Sequence, residues 1–300
     1  MQVTFLGTAG SWPTKERSAS AIALNTEQEL VLFDCGEGTQ RQFFQSSSSF
    51  MRVRRVFLTH FHGDHFLGLP GLIQSMCLNN REEPLDIYGP ADTKEMVDRV
   101  LRMGYFTLRF PVEVHPLTAG ATVELPGYSV KTATATHPVP SLAYRLEEGT
   151  KRGRFDGALA RSLGIHGSDF ARLEAGESVR VGSQVVHPSD VMGPPRPGRS
   201  FVYSGDTAPS PEVEKLAREA TVLIHEATTS QELEAEANKW GHSSARQAAT
   251  LAKAANVRTL FLTHFSSRYK ELAPLEAEAR ELFQEAHAAK DFLEHLIRQP

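Results

Sequence analysis

The sequence predicts an α/β fold arranged as a four-layer αββα sandwich, two β-sheets face to face with helices outside each. Three observations carry this. Strand-length apolar runs alternate with helical stretches along most of the chain. The words Val-Phe-Leu-Thr-His-Phe at 56–61 and Leu-Phe-Leu-Thr-His-Phe at 260–265 nearly repeat, which marks one strand–loop unit in each half. A chain of 300 residues, 40% hydrophobic and 23% charged, is long and apolar enough for such a core and is neither disordered nor fibrous.

The elements follow in order. Residues 1–6 alternate around Val3 and Phe5 as a strand, and Gly7-Thr8-Ala9-Gly10-Ser11 breaks it. Residues 20–24 and 29–33 form a strand pair, closed by the turn residues Asp34-Cys35-Gly36-Glu37-Gly38, and a helix covers 39–46. A strand at 54–59 enters the polar loop 60–65, and a helix follows through Leu69, Leu72, Ile73 and Met76. A strand at 85–88 and a helix at 91–103 come next, then strands at 112–114, 122–125, 128–136 and 141–146.

Residues 148–187 are rich in Gly and charge, with one helix near 156–163, and read as an excursion without its own core. Pro194-Pro195-Arg196-Pro197-Gly198 reads as a stiff linker back. Strands at 200–203, 222–225 and 259–263 then alternate with helices at 211–219, 243–255 and 275–285.

Charge and cysteine content narrow the function. With 32 Lys and Arg against 36 Asp and Glu the net charge is −4, so nucleic acid would have to be met by a local basic patch or bound metal. Two cysteines, Cys35 and Cys77, cannot build a cysteine zinc cluster and are expected as reduced thiols. The start of the chain has no signal-peptide pattern, and no run approaches the ~20 apolar residues of a membrane span. A cytoplasmic protein that does not engage a membrane is expected.

The strongest signal is His60-Phe61-His62-Gly63-Asp64-His65. His60 and His62 are two apart on extended backbone and face the same way. Gly63 is expected to turn the chain sharply, swinging Asp64 and His65 toward a second point. Imidazole and carboxylate donors suit zinc or a similar divalent ion. His137, Asp206 and His264 each sit just past a predicted strand, where side chains converge on a rim. Asp206 has two oxygens and can bridge two metals. Trp12 and Trp240 flank glycine-containing loops, where packing is the expected role and base stacking the alternative.

Taken together, Thr-His-Phe-His-Gly-Asp-His, Ser-Gly-Asp-Thr, His225-Glu226-Ala227-Thr228 and Thr-His-Phe-Ser-Ser-Arg-Tyr resemble ribonuclease Z, the tRNA 3′-processing endoribonuclease of the metallo-β-lactamase fold. The resemblance spans nearly the whole chain, 1–300. It implies an αββα metallo-β-lactamase sandwich with an inserted flexible arm, here 148–187, that grips tRNA. It implies two zinc ions per subunit, other divalent metals being possible. One zinc would be held by His60, His62, His137 and Asp206, the other by Asp64, His65, Asp206 and His264. It makes Asp64 the proton acceptor and His242 with Glu226 the proton-donor pair. Arg268 matches a phosphate-contacting position. Pro13-Thr14-Lys15-Glu16-Arg17 matches a loop near the substrate's 3′ end, with Ser18 where the pattern ends in Asn. The arm's basic residues, Lys151, Arg152, Arg154 and Arg161 against Asp156, give residues 151–161 a net charge of +3. Its Gly164-Ile165-His166-Gly167-Ser168 replaces a Gly-Pro-rich tip. The implied partners are precursor tRNA and a second copy in a homodimer. The implied products are a 3′-hydroxyl on the tRNA and a 5′-phosphate on the trailer. The residues alone also allow a small-substrate hydrolase of the same fold, such as an arylsulfatase or phosphodiesterase, and a non-catalytic RNA-binding protein.

Overall fold

The apolar runs form two seven-stranded sheets in the computed structural model, which describes residues 1–299. In chain order the strands are β1 (Gln2–Gly7), β2 (Ala21–Asn25), β3 (Leu30–Phe33), β4 (Val53–Phe57), β5 (Leu85–Gly89) and β6 (Val112–Pro116). Then come β7 (Thr122–Leu125), β8 (Tyr128–Thr134), β9 (Leu142–Glu148), β10 (Val179–Val181) and β11 (Gln184–Val186). The last are β12 (Ser200–Tyr203), β13 (Val222–Glu226), β14 (Thr259–Thr263), β15 (Ala286–Ala288) and β16 (Glu294–Leu296). One sheet runs β16-β1-β2-β3-β4-β5-β6 and the other β15-β14-β13-β12-β9-β8-β7. The repeated word contributes β4 to the first sheet and β14 to the second, each between two parallel neighbours.

Both faces of these strands are covered, which is why they read as continuous apolar runs. In β3, Val31 and Phe33 face an inter-sheet core, while Leu30 and Leu32 face the helices. The inter-sheet core is aromatic, with the Phe33 ring 4.9 Å from Phe201 and the Phe57 ring 5.3 Å from Tyr144. On the far face of the second sheet, helix Ala245–Ala254 buries five residues, four of them alanines, and lies in that layer's core. Its start is fixed by a reciprocal cap. The Ser244 hydroxyl accepts from the Gln247 N–H, and the Gln247 side chain accepts from the Ser244 N–H.

Contacts divide the chain into two compact units, Met1–Glu147 with Arg199–Arg298, and a second built on Glu148–Gly198. The second unit runs past residue 187. The Pro-rich run is not a free linker, because Lys151 and Arg196 exchange backbone hydrogen bonds at 2.8 and 2.9 Å. The unit also has a core where none was expected: Ala160, Ile165, Leu173, Val179, Val186 and Val191 are buried together. Ile165, in the atypical tip, is part of it. No helix among the described residues is long and apolar enough to cross a membrane.

Candidate active site

Parallel strands end side by side, so residues just beyond their C-terminal ends converge. Asp34 follows β3, His60 lies beyond β4, Glu226 ends β13 and His264 follows β14. The turn expected at Gly63 is instead the first residue of a one-turn helix, Gly63–Phe66. Helical geometry, not a positive φ, brings Asp64 and His65 round. Asp206 is delivered by Gly205, whose φ of 59° favours glycine and whose Cβ would stand 2.7 Å from Thr59 Cγ2.

The structure brings all seven predicted ligand residues together. The donor atoms of His60, His62, His137 and Asp206 lie within 4.8 Å of one another, as do those of Asp64, His65 and His264. Asp206 joins the two groups. Its Oδ2 is 3.8 Å from His60 Nε2 and 3.2 Å from His65 Nε2, and its Oδ1 is 3.3 Å from His264 Nε2.

Sequence reasoning missed three residues that orient these ligands. Asp34, fully buried, accepts from His65 Nδ1 at 2.7 Å, from the Tyr203 hydroxyl at 2.9 Å and from the Thr59 N–H and hydroxyl at 2.7 and 2.9 Å. Thr59 in turn accepts from His60 Nδ1 at 2.9 Å. Thr228 repeats this relay for the second sheet, donating to Glu226 at 2.7 Å and accepting from His264 Nδ1 at 3.0 Å. His137 Nδ1 donates to the Gly241 carbonyl at 3.0 Å. The outer nitrogens of His60, His65, His137 and His264 are thus occupied, which leaves the inner nitrogen of each to face the cluster.

Those inner atoms fit a metal. His62 Nδ1 is 3.0 Å from His60 Nε2 and 3.2 Å from His137 Nε2. His65 Nε2 is 3.4 Å from His264 Nε2. Inward lone pairs this close call for a cation between them. Asp206 Oδ1 is buried with no hydrogen-bond donor. The carboxylates make this point attract a cation: burial opposes a proton on His65, yet Asp206 and Asp34 raise its pKa well above the ordinary value, and a metal ion at Nε2 would take the place of that proton. Asp206 stays well below the carboxylate range despite burial, because His264 and His65 face it. Nitrogen and oxygen donors of this kind suit zinc or a similar divalent ion. Replacing Asp34 with Asn keeps the shape and removes the charge that orients His65. Asp34→Asn is expected to lower metal affinity roughly 10–100-fold, read by competition with a chromophoric chelator. Unchanged affinity would show that His65 needs no such partner.

Beside the clusters, Glu226 is fully buried and accepts from His242 Nδ1 at 2.9 Å, the Thr207 N–H at 3.1 Å and the Thr228 N–H at 3.1 Å. Burial opposes a proton on His242, but the Glu226 carboxylate outweighs it and lifts the pKa to about 9. With Nδ1 engaged, Nε2 remains for a substrate. His242, Asp64, Asp206 and Arg268 line one cavity of about 640 Å³. Trp12 and Trp240 line it too and are exposed, so the packing expected of them is absent.

The other predicted substrate contacts differ in kind. Arg17 is buried, donating to the Tyr269 carbonyl at 2.8 Å, and so ties its loop to residues 266–269 rather than offering a free cation. Lys15 is exposed. In the second unit Arg154 is exposed, Arg152 donates to the Glu174 carbonyl at 2.8 Å, and Lys151 lies 3.8 Å from Glu148. Cys35 is buried, its thiol pushed up to about 12 by burial, as befits a core residue.

Comparison with known proteins follows the same lines. Residues 1–149 match the family model described as anti-Pycsar protein Apyc1, and residues 187–265 the beta-lactamase superfamily domain. The chain is 48% identical to ribonuclease Z of Methanothermobacter thermautotrophicus over 98% of its own length and 95% of that protein's. It is 44% identical to ribonuclease Z of Methanosarcina acetivorans, over 98% and 97%. The crystal structure of human tRNase Z, short form, superposes with a TM-score of 0.72 at 30% identity, covering 99% of this chain and 100% of that one.

Proposed function

Since the chain belongs to the ribonuclease Z family and is a metal-dependent, tRNA-processing endoribonuclease, we propose that it removes the 3′ trailer from precursor tRNA with two zinc ions per subunit. The cut would leave a 3′-hydroxyl on the tRNA and a 5′-phosphate on the trailer. The observation that carries this reading is a cavity lined by His62, Asp64, His137 and Asp206 of the two clusters and by His242, whose Nδ1 is held by the buried Glu226.

His60, His62, His137 and Asp206 would hold one ion, and Asp64, His65, Asp206 and His264 the other. Bound there, the metals supply Lewis acidity, a water of lowered pKa and positive charge opposite the phosphate. Asp64 takes the proton of the attacking water. As the bond from phosphorus to the 3′ oxygen breaks, His242 gives that oxygen a proton from Nε2, held in place by Glu226 at Nδ1. Arg268 offers its guanidinium to a phosphate oxygen. Phe44 and Leu78, 68% and 83% exposed on two contacting helices, support a homodimer.

The test is cleavage of a precursor carrying a 3′ trailer, with and without chelator, beside bis-para-nitrophenyl phosphate. Chelator-sensitive cutting at a single site next to the last tRNA nucleotide is expected. Turnover of the small diester alone would move the assignment to a small-substrate hydrolase.

The Glu148–Gly198 unit is proposed to bind tRNA through Lys151, Arg152 and Arg154. Because residues 151 and 196 pair, a clean excision replaces 152–195 with a short Gly-Ser linker. Losing the phosphate contacts of Arg152 and Arg154, with Lys151 left in place, is expected to raise KM for the precursor roughly tenfold or more and flatten its log–log salt dependence by about two. An equal loss on precursor and small diester would count against a binding arm.

A further inference from the structure

We propose that the indoles of Trp12 and Trp240 stack on the two bases flanking the scissile phosphate, Trp240 on the last tRNA base and Trp12 on the first trailer base. This rests on the trailer-removal reading above. Both rings are exposed, Trp12 by 60% and Trp240 by 67%, yet both line the cavity that contains Asp64, His242 and Arg268. Large flat apolar surfaces left open around a charged cavity suit a ligand that is flat and apolar in one part and anionic in another. Nucleotides on either side of a phosphodiester have that form.

The two rings are also placed by the clusters themselves. Ser11, next to Trp12, has φ 66° and donates its N–H to Asp64 Oδ2 at 2.7 Å. Gly241, next to Trp240, has φ 76° and accepts from His137 Nδ1 at 3.0 Å. A Cβ at residue 241 would stand 2.7 Å from that same nitrogen, so only glycine allows the approach. Each indole therefore stands one residue from a backbone group that grips a side chain of a different cluster.

That placement sets which base each ring meets. In an in-line displacement the attacking and leaving oxygens lie on opposite sides of phosphorus. His242, two residues from Trp240, serves the leaving 3′ oxygen, which belongs to the last tRNA nucleotide. Asp64, bonded to the residue before Trp12, serves the attacking side, and the trailer nucleotide keeps the phosphate. Stacking tolerates any base because every base has a π-face. Such a grip suits an enzyme that must cut precursors with differing trailers.

The test uses wild-type protein and precursors made abasic at one flanking nucleotide, combined with Trp12→Ala and Trp240→Ala. Removing the last tRNA base is expected to lower kcat/KM roughly ten- to hundredfold, the usual effect of losing one base–aromatic stack. Trp240→Ala should lower it similarly on the intact precursor, and the two changes together should cost no more than either alone. Trp12→Ala should pair in the same way with the first trailer base, while crossed combinations multiply. Trp240→Phe should restore most of the rate. Equal cutting of intact and abasic precursors by wild-type protein overturns the stacking and leaves trailer removal standing. Matched penalties that multiply also overturn it. An intact precursor left uncut overturns trailer removal, and the stacking with it.

Discussion

Asp206→Ala is expected to abolish cleavage and to strip the protein of metal at both positions. Asp206 is the one residue whose carboxylate reaches both clusters, through Oδ2 to His60 and His65 and through Oδ1 to His264. Alanine removes two donor atoms and one negative charge from a site where histidines predominate. The remaining imidazoles then face one another with less negative charge to draw in a cation. The loss of rate should exceed the roughly 10²–10³-fold that follows removal of one neutral transition-state donor, since a divalent charge is larger. Metal content per chain, measured by mass spectrometry on folded protein, provides a readout independent of activity. His62→Ala gives the contrast. His62 belongs to the first cluster only, so that variant should lose one ion and retain the other. An Asp206→Ala protein with a full metal complement and normal turnover would refute the shared-ligand assignment.

How legible was this site in the sequence? The clustering of the proposed ligands was, because chemistry concentrated them: three histidines and an aspartate in six residues, and a further histidine after a near-copy of the same strand. Asp34 was not. A single Asp before Cys-Gly reads as a turn residue, and only the fold shows that β3 ends beside β4, where its carboxylate meets His65 and Thr59. Thr228 was hidden for the same reason, its role depending on His264, far away in sequence but one strand over. The fold divides similarly. Strands covered on both faces declared themselves as apolar runs. β15 and β16, three residues each at sheet edges, are too short to show a period. Helix Glu234–Lys239 buries only Ala237, so no apolar stripe announced it. The core of the Glu148–Gly198 unit draws single residues from several short elements, a pattern that neither a 2- nor a 3.6-residue period reveals.

His242→Ala is expected to lower kcat on precursor tRNA by about 10²–10⁴-fold, the usual contribution of a positioned general acid. The effect should depend on the leaving group. A ribose 3′ oxygen departs poorly without a proton, whereas para-nitrophenolate departs readily as the anion, so the small diester should suffer far less. A precursor with sulfur in place of the scissile 3′ bridging oxygen makes the comparison within one substrate. Thiolate leaves unprotonated, so His242→Ala should cut this substrate nearly as fast as wild-type protein does. Glu226→Gln should show the same pattern more weakly. Glutamine can still meet His242 Nδ1 but brings no negative charge, and it disturbs the acceptor set that Thr207 and Thr228 use. A role in holding the fold predicts something else, since a distorted site slows oxygen and sulfur substrates alike. Equal losses on both would therefore remove His242 from proton transfer, while selective rescue by sulfur places its proton on the departing 3′ oxygen.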